Sequence, residues 1–109
     1  AHPFNIELYT SKKMKTNPEN SLEALKWVRT ALAETNHYND DEVLMNLFVQ
    51  LAQEHEVKNG RIMWPVRVAL TYKSFTPGGA VEIAHILGKE ETLKRIDQAI
   101  QELEKAIAA

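Results

Sequence analysis

Apolar residues recur along this chain at spacings of three and four, the period of a helix that packs one face on a core. Leu22, Leu25, Val28 and Leu32 form the first such stripe. Asn17-Pro18 is placed to start that helix, with Asn20-Ser21 as a second candidate start a turn later. Asn and Ser cap helices, and proline suits a first helical turn. Thr35-Asn36-His37 breaks the pattern. Asn39-Asp40-Asp41-Glu42 then reads as a capping box, with Asn39 as the cap and Glu42 at its third helical position. Val43, Leu44, Leu47, Phe48 and Leu51 make the inward face of the second helix. Lys58-Asn59-Gly60 reads as a chain reversal, because Asn and Gly tolerate positive φ. Trp64-Pro65 predicts the start of a third helix over about 65–73, with Val66, Ala69 and Leu70 inward. A fourth is expected from about Pro77 to Leu87, stopped by Gly88. A fifth starts near Lys89, with Leu93, Ile96, Ile100, Leu103 and Ile107 at near-heptad spacing.

No stretch alternates over the length of a strand, so the expected class is all-α, a compact bundle of about five helices. Residues 17–109 are expected to form the helical domain. Residues 1–16 read as a lead-in or linker, in which Asn5 to Tyr9 is either a helical turn or extended, and which would pack on an upstream domain. A chain of 109 residues holds one core. It is 44% hydrophobic and 26% charged, ordinary for a globular domain. There is no cysteine, which excludes disulfides and thiolate metal sites. No apolar run approaches the roughly 20 residues of a membrane span. The first ten residues lack the basic and apolar regions of a signal peptide. Their lack of an initiator Met fits a piece of a longer protein, or removal of the Met before Ala1.

The formal net charge is −2, which argues against bulk nucleic-acid binding, but the charges are segregated. From Ala31 to Val57 there are six acids (Glu34, Asp40, Asp41, Glu42, Glu54, Glu56) and no Lys or Arg. Between Val57 and Val81 the sign reverses: Lys58, Arg61, Arg67 and Lys73 stand without one Asp or Glu. Lys12, Lys13 and Lys15 add a second basic group. A basic face on an acidic protein suits a polyanion, and nucleic acid is the commonest one.

Several side chains are candidates for chemistry. Arg67 offers a planar fork of donors that matches base edges or phosphates, or else it pairs with a neighbouring acid. In Thr76-Pro77-Gly78-Gly79, free amides at a helix start attract anions and two glycines permit close backbone approach. The plainer reading is a helix cap and turn. Lys58, Arg61 and Lys73 are candidate phosphate contacts, which position RNA without reading it. Trp64 is either a stacking platform or, the stronger reading, an anchor in the core. Trp27 is expected to be structural, and Lys12 to Thr16 a solvated basic linker. His2, His37, His55 and His85 show no paired spacing, so no metal site is expected. No Ser/His/Asp arrangement points to a catalytic residue. Glu90-Glu91 suits a helix N-terminus.

KNGRIMWPVRVALT, then TPGG, then ILGKEETLKRI together resemble the C-terminal, anticodon-binding end of bacterial glutamyl-tRNA synthetases. The likeness is close from Lys58 to Ile96 and looser back through TNPENSLEALKWVR. It implies an all-helical anticodon-binding domain in which Arg67 and the turn Thr76, Pro77, Gly78, Gly79 and Ala80 meet the anticodon bases. Lys58, Arg61 and Lys73 would touch phosphates. The partner implied is glutamate-specific tRNA, at its anticodon stem-loop, in the cytoplasm. The full-length enzyme, a class I synthetase, uses ATP and magnesium in an upstream catalytic domain of the same chain. These residues would then be non-catalytic and hold no cofactor. The sequence departs from the family where bulkier residues often stand at Gly79 and Ala80, which favours backbone contact over stacking there. Tyr72 occupies a position where glycine is expected; it either stacks on a base or covers the core. Lys12 to Thr16 bears only a vague likeness to the mobile lysine loop of class I synthetases, a reading rejected because neither an α/β nucleotide-binding pattern nor the paired histidine motif accompanies it. Two other readings compete. One is a helical protein-interaction module using the acidic second helix and the Leu93–Ile107 stripe; the other is a standalone regulatory paralogue that binds tRNA.

Overall fold

The computed structural model describes residues 4–36, 39–73, 76 and 78–108. Asn17 caps the first helix, α1 (Pro18–Glu34), by accepting from the Asn20 amide at 2.8 Å, while the Asn20 side chain accepts from the Asn17 amide at 2.9 Å. Pro18 needs no amide partner in the first turn. This start and the stop at Glu34 match the sequence reading. The second helix, α2 (Asp41–Glu54), is capped one residue later than expected, by Asp40 rather than Asn39. The Asp40 carboxylate accepts from the amides of both Glu42 and Val43, at 3.1 and 3.2 Å. That satisfies two donors of the first turn with one charged acceptor.

The third helix, α3 (Asn59–Thr71), departs most from expectation. Its start lies six residues before Pro65, and the reversal expected at Lys58-Asn59-Gly60 is its first turn. Gly60 is there for contact, not for positive φ: a Cβ on it would overlap the Met14 sulfur. Pro65 is buried inside the helix. Its ring removes one donor and leaves the Arg61 carbonyl without its usual partner, a defect of about 3 kcal/mol in an isolated helix that tertiary burial must offset. The last helix, α4 (Ala80–Ala108), is broken at Gly88, where φ is 81° and ψ 172°. The expected stop at Gly88 is therefore a bend, and the two arms of α4 account for the fourth and fifth helices of the reading.

All four helices feed one core. Leu25, Val28 and Leu32 of α1 meet Leu44 and Phe48 of α2, Ile62, Val66 and Leu70 of α3, and Ile96 and Leu103 of α4. α1 lies along α4 and α3 and is stitched to α4 on the surface. Arg29 donates to both carboxylate oxygens of Asp97, at 2.8 and 3.3 Å, and Lys26 pairs with Glu104 at 3.4 Å. Of the segment read as a lead-in or linker, the described residues 4–16 are folded onto this body. A 3-10 turn (Ile6–Tyr9) buries Tyr9, with Phe4, Ile6 and Leu8 packed on the core. The Tyr9 carbonyl accepts from the buried Ser21 hydroxyl at 3.2 Å. Among the described residues no helix is long and apolar enough to cross a membrane.

Candidate nucleic-acid interface

α3 carries the candidate residues, and its length decides how they are distributed. Lys58 and Arg61 sit at its N-terminal end, and Lys73 follows its C-terminal end. Thirteen residues at 1.5 Å each separate those ends by about 20 Å. The cationic stretch of the sequence is thus two basic places rather than one. Arg61 is also engaged: its Nη2 lies 3.2 Å from Glu23 Oε1 on α1. Lys58 caps α3 without a side-chain hydrogen bond, and the first turn of α3 holds no acid.

Arg67 does not project from a first turn, as a start at Pro65 would require. It lies in the second half of α3, with its guanidinium over the Trp64 ring, 4.7 Å from the centroid. Arg67 is half-buried with its Nε enclosed, and a cation over an indole face gains about 0.5–2 kcal/mol depending on how far it is desolvated. Trp64 is itself fixed. It packs on the core and its indole N–H donates to the Leu8 carbonyl at 3.0 Å. The anchor reading of Trp64 describes it best, although it anchors the lead-in to the middle of α3 and not the helix start.

The C-terminal end of α3 is clamped. The Thr71 hydroxyl donates to the Arg67 carbonyl at 2.7 Å and accepts from the Lys73 amide at 3.2 Å. Arg95 donates to the Leu70 carbonyl at 2.6 Å while held by Glu91 at 2.7 Å, which places a cation at the negative end of the helix dipole. Tyr72 ends the helix in the left-handed region, φ 59° and ψ 29°, with its amide donating to the Val68 carbonyl at 2.7 Å. That conformation is the reason glycine is expected at this position. Tyr72 is half-buried as a residue, with its hydroxyl enclosed. Burial raises its pKa and nearby Glu102 adds to the rise, while Arg95 opposes both.

The turn before α4 shows its backbone. Gly79 is exposed, Gly78 is half-buried and the Ala80 side chain faces the core at 3% exposure. Pro77, the remaining candidate of this turn, lies outside the described residues. The Thr76 hydroxyl donates to the Gly78 carbonyl. The Gly79 amide donates to Glu82 Oε2 at 2.8 Å. Glu82 is the third residue of α4, so this is half of a capping box. A carboxylate therefore already stands where an anion would dock, and the turn repels phosphate more than a base edge. The sequence held the signal for this contact in the spacing of Gly79 and Glu82.

Elsewhere, the Trp27 and His55 rings stack with centroids 3.6 Å apart and planes 4° off parallel. His85 bonds Asp41 at 2.6 Å, joining the starts of α4 and α2. Neither contact is legible from local sequence. Among the described residues, no three His, Asp or Glu side chains converge as a metal site.

Comparison with known proteins bears on all of these positions together. A family model described as an anticodon binding domain matches residues 1–100. The glutamate–tRNA ligase of Clostridium tetani is 49% identical over 104 residues, which is 95% of this chain and 21% of that protein. The Clostridium acetobutylicum glutamate–tRNA ligase is 47% identical over 102 residues, 94% of this chain and 21% of its own length. That of Clostridium botulinum strain Hall is 50% identical over 103 residues, 92% of this chain and 20% of its own. The chain thus spans about a fifth of the length of these relatives.

Proposed function

The chain belongs to the anticodon binding domain family, and on that premise we propose that it is the part of a glutamate–tRNA ligase that grips the anticodon stem-loop of tRNA. Unpaired loops are where RNA sequence is readable, because their bases are splayed out. The bases meet Arg67 and the Thr76–Ala80 turn. The phosphates meet Lys58, Arg61 and Lys73. The joining of glutamate to tRNA, with its need for ATP and magnesium, belongs to another domain of the longer protein.

The observation that carries this reading is Arg67, preset over Trp64 on the helix that precedes the turn with the exposed Gly79. A guanidinium held by a ring presents its fork without losing much rotamer freedom on binding. The Glu82 carboxylate sharpens the division of labour. It accepts from the Gly79 amide, and it offers an acceptor to base N–H groups while disfavouring a phosphate at the same place.

The test is made in the full-length protein. Arg67→Ala is expected to weaken productive tRNA use by about 1–3 kcal/mol, with the KM values for ATP and glutamate unchanged. Aminoacylation at limiting tRNA that equals the parent's would overturn the role given to Arg67.

A further inference from the structure

The N-terminal end of α3 meets a part of the chain far from it in sequence. Ser11 and Thr16 exchange backbone hydrogen bonds of 3.2 and 3.0 Å, closing a tight hairpin with Lys12, Lys13, Met14 and Lys15 at its tip. The Met14 amide donates to the Ser11 hydroxyl at 3.2 Å. Asn20 Nδ2 donates to the Lys15 carbonyl at 3.2 Å, tying the hairpin to the first turn of α1. Met14 then lies against Gly60, the second residue of α3. The hairpin is held at both sides, so its lysines have a defined place.

That place is shared. Lys13, Lys15, Lys58 and Arg61 line one hollow of about 370 Å³, with Met14 and Val57 between them. Glu56 also borders it, and Glu23 pairs with Arg61. Four cations against two carboxylates leave the hollow positive, and Lys12 adds a further charge at the hairpin tip. Nothing in the sequence pattern joins residues 12–15 to residues 58–61; the Met14–Gly60 contact does.

We propose that this hollow takes phosphates of the tRNA backbone, a second contact that rests on the function proposed above and extends it to Lys13 and Lys15. It lies at the N-terminal end of α3, about 20 Å from the C-terminal end of that helix. A contact so far from the reading end falls on the backbone of the stem and carries no sequence information. The two ends of α3 then divide the work: one selects the anticodon, the other adds affinity that salt weakens.

The experiment is a double charge reversal, Lys13→Glu with Lys15→Glu, at two exposed positions of the full chain. Binding is measured to the glutamate tRNA anticodon stem-loop and to the same hairpin with a permuted anticodon, across a salt series. The expected result is a loss of about tenfold or more for both RNAs, with the salt slope shallower by about two. Helical content and melting should be unchanged, and Lys13→Arg with Lys15→Arg should keep the affinity. If the reversal leaves affinity and slope at the parent values while the parent still distinguishes the two anticodons, the hollow is overturned and anticodon reading stands. If the arginine pair loses as much as the glutamate pair, the electrostatic account is overturned. If the unaltered chain binds neither hairpin, this proposal and the function it rests on both fall.

Discussion

Tyr72 holds a left-handed conformation that costs a residue with a Cβ about 1–2 kcal/mol relative to glycine. The compensation is positional. Its ring is carried to a buried hydroxyl beside Tyr9, Glu102 and Arg95, where glycine would leave a gap. Strain and packing are separable by comparing two truncations that both remove the ring. Tyr72→Gly is expected to be about 1 kcal/mol more stable than Tyr72→Ala, because only alanine keeps the φ penalty. Equal denaturation midpoints for the two would mean that the backbone relaxes out of the left-handed region.

The elements show where local signals suffice and where they mislead. Gly88 is legible from sequence because its requirement is local. At φ 81° and ψ 172° it occupies a region that is essentially glycine's alone, with open space around its missing Cβ. Gly88→Ala is expected to cost about 1–3 kcal/mol through backbone conformation alone, read as a lower denaturation midpoint at unchanged slope. Parent-like stability would mean that the bend straightens and the two arms of α4 tolerate a new angle. α1 is equally legible, since Asn17, Pro18 and Asn20 form their cap within one turn. α3 is not. Lys58-Asn59-Gly60 and Trp64-Pro65 carry the local marks of a reversal and a helix start, yet both lie at or inside one helix. Gly60 answers to Met14 and Trp64 to Leu8, contacts across 46 and 56 residues that no window of sequence contains. The site residues suffer the same limit. Their types are readable, but the 20 Å division between them follows from where α3 begins.

At the scale of the molecule, the core couples the fold to alkaline pH through Tyr9. Burial raises the pKa of its phenol far above the ordinary 10.0, and Tyr72 and Glu102 raise it further. The folded state therefore keeps its proton where the unfolded chain has lost it. This contribution to stability is complete below pH 10 and is lost above it, by about 1.4 kcal/mol per pH unit for one such group. Denaturation midpoints should fall steeply from about pH 10 upward, and Tyr9→Phe should flatten that fall. A parent and a variant with parallel curves would assign the alkaline transition elsewhere. Tyr9 also fixes where this unit begins in space. It is fully enclosed, Leu8 supplies the acceptor that holds Trp64, and Trp64 in turn holds Arg67 under the cation–π contact. Anyone trimming the polypeptide at the first long helix would discard the peg on which Trp64, and through it Arg67, hangs.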